Sequence, residues 1–211
     1  MNNGNATVNG SLYVIAAPSG AGKTSLVKQL LETTGNIAVS VSHTTRQPRP
    51  GETNGEHYYF VDIPAFEQMR DAGQFLEYAR VFDNYYGTSR QAVDRQLQSG
   101  SDVILEIDWQ GAQQTRQLYP DCCNIFILPP SRQALEDRLR SRGQDDDSVI
   151  ARRMQEAIAE MSHYREFDYL VINDDFDEAL EMLRSIILAR RQRIDVQSQR
   201  QERLLQDLLS S

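Results

Sequence analysis

Cysteine, lysine, histidine and tryptophan are scarce in this chain, and each scarcity excludes something. Of 211 residues two are cysteine, Cys122 and Cys123, and one is tryptophan. Adjacent cysteines rarely bond to each other and no third exists, so a disulfide framework is excluded. They precede an apolar run at 124–128 and read as buried free thiols, which points to a reducing compartment, the cytoplasm. Histidine is limited to His43, His57 and His163, without metal-ligand spacing; all three read as structural or solvated. No Ser-His-Asp arrangement can be inferred. Lys23 and Lys28 are the only lysines, and every other basic residue is arginine, the better bidentate clamp for phosphate. Positive charge is short as well: 22 Lys and Arg face 30 Asp and Glu, a net charge of −8. An acidic chain is no general nucleic-acid binder, so any anion site must gather its arginines locally. No apolar run is long enough for a membrane span. Residues 1–10 are polar, lack the pattern of a signal peptide and read as a flexible tail.

What the chain does have is a phosphate-loop pattern. Ala17-Pro18-Ser19-Gly20-Ala21-Gly22-Lys23-Thr24-Ser25 follows the apolar run 12–16 and leads into 26–31, a strand, a glycine turn and a helix start. Glycines let backbone N–H groups turn inward around a polyphosphate, and the helix N-terminus adds partial positive charge. Lys23 is placed to reach the β- and γ-phosphates and Thr24 to ligate Mg²⁺. The usual pattern opens with Gly where Ala17 stands, which requires negative φ there. The plain alternative, a Gly-rich turn before an ordinary helix, does not account for Gly22-Lys23-Thr24 in this context.

Strands are expected at 11–17, 37–41, 103–108, 124–128 and 168–173, and helices at 24–34, 90–99, 110–117, 132–141, 148–165 and from 176 onward. The alternation predicts an α/β fold, a parallel sheet flanked by helices. Gly35 suits the cap ending the first helix and Ser131 an N-cap. Ile150, Met154, Ile158 and Met161 form a core stripe. Two segments interrupt the pattern. Residues 42–89, with strand-like pieces at 57–61 and 75–81 around a short helix near 63–72, read as an inserted small β subdomain. Residues 138–153, with five arginines around Gly143-Gln144-Asp145-Asp146-Asp147, read as a mobile flap; a solvated helix face is the even alternative for its arginines. Residues 191–211 extend the chain as helix. Leu204, Leu205, Leu208 and Leu209 there either pack back or meet a partner subunit in a homo-oligomer.

Three further constellations bear on chemistry. The run 103–108 ends in Glu106 and Asp108, either of which suits orientation of Mg²⁺, although carboxylates at strand ends also serve as turn-makers. The loop 42–51 carries Arg46 and Arg49 after hydroxyls, stiffened by prolines, and suits an anion. The stretch 84–90 places phenols and hydroxyls before a helix start. An ordinary polar loop is the alternative for the last two.

Together these residues resemble guanylate kinase of the bacterial type, a P-loop nucleoside monophosphate kinase, from about residue 11 to 190. The motifs are those at 17–24, 41–52, 55–60, 84–88, 107–111, 142–143 and 171–175, and their joint occurrence in this order is highly specific. The resemblance implies a core at 11–41, 90–137 and 154–190, a GMP-binding subdomain at 42–89 and a helical lid at 138–153. It implies that ATP meets Ser19, Gly20, Ala21, Gly22, Lys23, Thr24 and Ser25, with Asn173 on the adenine side and Mg²⁺ on Thr24. Arg46, Arg49, Tyr58 and Tyr86 would hold the GMP phosphate; Ser42, Glu77 and Thr88 would read guanine; Asp108 matches the family's carboxylate on the substrate side. Arg138, Arg142 and Arg153 would close on the transferring phosphoryl group beside Lys23. Glu106 stands where the family usually has Asp. The implied reaction is Mg²⁺-dependent phosphorylation of GMP, and of dGMP, by ATP in purine nucleotide metabolism. A P-loop kinase acting on another phosphorylated acceptor is the competing enzyme reading. A guanylate-kinase-like protein-binding module is the other, and Lys23, Thr24 and the lid arginines argue against it.

Overall fold

The computed structural model describes residues 9–81, 83–141 and 146–210. β1 (Leu12–Ala16) runs through the glycine loop into α1 (Lys23–Thr33) and on to β2 (Ile37–Val39). The inserted subdomain follows: β3 (His43–Thr44), β4 (Tyr59–Phe60), α2 (Ile63–Asp71), β5 (Phe75–Val81) and β6 (Asn84–Ser89). The core resumes with α3 (Arg90–Gln98), β7 (Asp102–Glu106), α4 (Trp109–Leu118), β8 (Cys123–Leu128), α5 (Arg132–Ser141) and α6 (Asp147–Met161). After a 3₁₀ turn at Ser162–Glu166 come β9 (Tyr169–Ile172), α7 (Phe176–Arg191), α8 (Ile194–Arg200) and α9 (Glu202–Leu209).

The core is the expected α/β fold: a five-stranded parallel sheet, β2-β7-β1-β8-β9, with helices over it. Its central strands read mostly apolar because helices cover both faces. One face buries Tyr13, Ile15, Ile125 and Ile127 against Leu26 and Leu30 of α1 and Leu183 and Ile187 of α7. The other buries Val14, Val103 and Leu105 against Val93 and Leu97 of α3. All strands being parallel, their C-terminal ends emerge on one side, where an α/β sheet carries its ligands.

The subdomain has its own four-stranded sheet, β4-β3-β6-β5. The strand-like pieces expected in the sequence did not include β3 or β6. Asn84–Ser89 pairs antiparallel with β5 and β3, so its polarity marks a sheet face turned to a site. Several other expectations need correction. Gly10 donates to Leu97 O at 2.8 Å, so the expected tail does not reach residue 10; residues 1–8 lie outside the described residues. The left-handed residue after α1 is Asn36 (φ 58°), not Gly35, a conformation asparagine tolerates. On α6, Ala157 with Met154 and Met161 faces Leu135 and Leu139, while Ile158 is exposed. The expected lid is the end of α5 and the first half of α6. The long C-terminal helix is three helices, and the leucines of α9 do not pack back: Leu208 is 69% and Leu209 82% exposed. Ser131 does cap α5, its Oγ accepting from Ala134 N at 3.0 Å, and Cys122 and Cys123 are buried and free. No helix among the described residues is long and apolar enough to cross a membrane.

Candidate active site

The phosphate loop joins the C-terminal end of β1 to α1. Ala17 avoids positive φ, as its Cβ demands, whereas Gly20 (φ 95°) and Gly22 (φ 93°) occupy the left-handed region. Both are also pinned from outside. A Cβ on Gly20 would come within 3.0 Å of Leu135 and Leu139 on α5, and one on Gly22 within 2.4 Å of Asn173 Nδ2. Ala21 is buried, its N–H bonded to Pro18 O at 3.1 Å. No side chain caps α1, so its first-turn donors stay open to a ligand. Thr24 and Ser25 are exposed there, and Lys23 Nζ rests 3.3 Å from Ile107 O.

The lid helices reach this loop. Arg153 Nη2 donates to Ser19 Oγ at 2.7 Å. Arg138 Nη2 donates to Asn173 O at 2.9 Å, while its buried Nη1 has no hydrogen-bond partner among the described residues. Arg142 lies outside the described residues. Asn173, expected on the adenine side, is buried and donates Nδ2 to Ala21 O at 2.7 Å. The structure thus gives its side chain a loop-holding task.

The subdomain supplies the second half of the cleft. Ser42 and Thr88 share a hydroxyl hydrogen bond of 3.1 Å, and Thr88 pairs with Glu77 in the β5–β6 register. Glu77 is 3% exposed. Burial pushes its carboxyl up to about 7; Thr88 and Lys23 pull it down and Asp108 pushes it further up. Arg46 pairs with Glu52 at 2.8 Å, and Glu52 also accepts from Arg49 N at 2.7 Å. The Arg46 guanidinium lies 5.4 Å from the Tyr58 ring centroid, and Tyr58 meets Tyr86 edge-on at 5.9 Å. Burial, then Tyr86 and Glu106, raise the Tyr58 phenol above its usual range, so it remains a donor. The Arg49 side chain is exposed.

Asp108 caps α4, its Oδ1 accepting from Gly111 N at 2.8 Å. Its charge and that of Lys23 act on both Glu77 and Glu160, so phosphate loop and subdomain face one cleft. Sequence reading missed Glu52 and Glu160. Glu52 stands inside the motif 41–52, and its sign, opposite to two nearby arginines, was the available signal. Glu160 had no local signal; seven residues after Arg153, it shares that face of α6. Burial pushes its carboxyl up to about 7, against Lys23.

Comparison with known proteins accords with this geometry. A family model described as guanylate kinase matches residues 9–190. A guanylate kinase of Methylococcus capsulatus is 60% identical over 200 residues, covering 95% of this chain and 98% of the relative. One of Escherichia coli K12 is 58% identical over 203 residues, covering 95% and 98%. The crystal structure of a guanylate kinase from Anaplasma phagocytophilum superposes with a TM-score of 0.75 at 32% identity, covering 89% of each chain.

Proposed function

The chain belongs to the guanylate kinase family, and we infer from that premise that its reaction is ATP-dependent phosphorylation of GMP to GDP. The observation that carries this reading is one cleft holding an open phosphate loop and, opposite it, a buried carboxylate flanked by two hydroxyls.

Each half has a chemical task. The loop N–H groups and Lys23 bind the ATP phosphates. Arg46, Arg49, Tyr58 and Tyr86 bind the GMP phosphate, with Glu52 holding the two arginines in register. Ionised Glu77 accepts from guanine N1–H and the 2-amino group, which adenine cannot offer together; Ser42 and Thr88 complete that contact. Asp108 lines the same side. The new bond forms between a GMP phosphate oxygen and the γ-phosphorus as the bond to the ADP oxygen breaks. The acceptor is already anionic, so no strong base is required, and catalysis is positioning with charge neutralisation. Arg138 and Arg153, and Arg142 by the family pattern, supply that positive charge.

The residues fit a Mg²⁺ ion carried mainly by nucleotide phosphates. Thr24 offers an exposed hydroxyl beside Lys23, and no group of three His, Cys, Asp or Glu among the described residues forms a metal cage. When bound, the ion would neutralise phosphate charge. We extend the reading to dGMP as second acceptor, to purine nucleotide metabolism, and to a reducing cytoplasm, in keeping with the buried free thiols. The exposed leucines of α9 support a homo-oligomer contact. A coupled ADP-release assay with GMP, AMP, UMP and CMP tests the reading: GMP alone should be turned over efficiently, and a preference for another acceptor would overturn it.

A further inference from the structure

We propose that Gly111 and Gln114, on one face of α4, are positioning residues that set guanine selectivity by holding the Glu77 carboxylate in place. The proposal rests on the reading of Glu77 as the guanine acceptor and adds the device that keeps it there.

Glu77 is in an unusual position for a strand. Alternation should bury every second residue of β5, yet Phe75, Leu76 and Glu77 are buried in succession. The reason is a register irregularity: Phe75 pairs with Ser89 and Glu77 with the next residue, Thr88, leaving Leu76 as the extra residue. Leu76 packs into the core with Val93 and Leu97 of α3, and Glu77 is re-aimed into the cleft. A bulge aims a side chain but does not hold it, and β5 is the edge strand of its sheet.

α4 supplies the hold in two ways. A Cβ built on Gly111 would lie 2.7 Å from Glu77 Oε2 and 3.2 Å from Glu77 Cδ. The carboxylate therefore rests in the space that a missing side chain leaves. The Gly111 N–H is already given to Asp108, so the glycine acts by absence. Three residues on, Gln114 Oε1 accepts from Tyr78 N at 3.1 Å and Gln114 Nε2 donates to Tyr78 O at 2.9 Å. Its amide imitates the peptide of a neighbouring strand on the open edge of β5, beside Glu77. Residues three apart share a helix face, so gap and clamp work as one jig. Neither residue acts except through Glu77 and its strand.

The test measures kcat and KM for GMP and AMP, KM for ATP, and Tm in the parent, Gly111→Ala, Gln114→Met, Gln114→Glu, Glu77→Gln and the double variant Gly111→Ala/Glu77→Gln. Glu77→Gln should collapse the GMP-to-AMP ratio of kcat/KM. Gly111→Ala and Gln114→Met should each lower it at least about tenfold, roughly 1.4 kcal/mol, through KM for GMP with KM for ATP unchanged. The double variant should be no less selective than Glu77→Gln alone. Gln114→Glu sets a carboxylate oxygen against the Tyr78 carbonyl where a donor is needed, so it should lower the ratio at least as far as Gln114→Met; it and Gly111→Ala carry the test should Gln114→Met not fold. A merely structural Gly111 predicts the reverse, since alanine in a helix raises Tm and would leave selectivity alone. Parental ratios in Gly111→Ala and in the Gln114 variants, beside a collapsed ratio in Glu77→Gln, overturn the proposal and leave the Glu77 reading standing. A parental ratio in Glu77→Gln removes that reading and the proposal with it.

Discussion

Arg153 Nη2 lies 2.7 Å from Ser19 Oγ, so a helix 134 residues downstream touches the phosphate loop directly. In the proposed reaction a cation at that point would meet charge that develops on the transferring group. Arg153→Ala should lower kcat by at least about tenfold and leave KM for GMP within about twofold, the pattern of a contact made in the transition state. Steady-state kinetics with GMP varied at saturating ATP checks this. An effect on KM alone would make Arg153 a binding residue.

Lys23→Met should leave the fold intact and nearly abolish transfer. The Lys23 ammonium has one protein hydrogen bond among the described residues, to Ile107 O at 3.3 Å, and Lys28 is exposed on the helix beyond. Loss of phosphate charge compensation should leave less than about a tenth of parental kcat, or about 1.4 kcal/mol of barrier. A circular-dichroism melt beside the assay separates catalysis from folding.

Glu77 gives a pH signature of known sign. Its carboxyl is raised from 4.5 to about 7, by burial first, with Asp108 adding and Thr88 and Lys23 opposing. Below about pH 7 it is increasingly protonated and meets guanine N1–H with the wrong polarity, so kcat/KM for GMP should fall. In Glu77→Gln that limb should vanish, leaving the substrate phosphate, which titrates near pH ~6. Stability runs the other way. Between pH 4.5 and about 7 the folded chain holds a proton that the unfolded chain has released. Stability therefore falls as pH rises through that window, and the parent should lose ground to Glu77→Gln from pH 5 to 7 in urea titrations.

At the opposite end of the sheet from the phosphate loop, Asp102 is fully buried. Its Oδ2 accepts from Arg191 Nε at 2.7 Å, and its Oδ1 from Ser11 N at 2.8 Å and from Arg200 Nη2 at 3.4 Å. Removing one partner of a buried ion pair costs on the order of 3–5 kcal/mol. Asp102→Ala should show that loss in urea unfolding, with kcat unchanged at temperatures where it stays folded.

Truncation after Gln201 removes α9 while keeping Gln197 and Arg200, which anchor α8 to Arg191 and Asp102. If the exposed leucines meet a second copy, the mass from light scattering should drop in the truncated chain. An unchanged mass would leave α9 without that role.

The phosphate loop and the parallel sheet were legible because their causes are local. An apolar run at 12–16, two glycines and a helix start at Lys23 lie within twelve residues, and neighbours in the chain decide what those backbones do. Glu52 was legible in principle, being three residues from Arg49. The strand conformation of β6 was not legible because its polarity hides the alternation of a buried strand, and only its pairing with β3 and β5 reveals it.

The sequence by itself determined the alternation of strands and helices, the anion loop at 17–25 and the residue types available to a nucleotide. Only the tertiary structure decided which of them meet. By its local pattern alone, between Leu76 and Tyr78, Glu77 is a solvent-facing strand residue, and only the family resemblance sets it against guanine. A one-residue register slip against β6 and a helix more than thirty residues away, with a gap at Gly111, bury it. Asn173 supports the phosphate loop because Ala21, 152 residues upstream, presents a carbonyl to its amide. Periodicity and turn chemistry act over a few residues, whereas burial and charge depend on what the folded chain brings within a few ångströms.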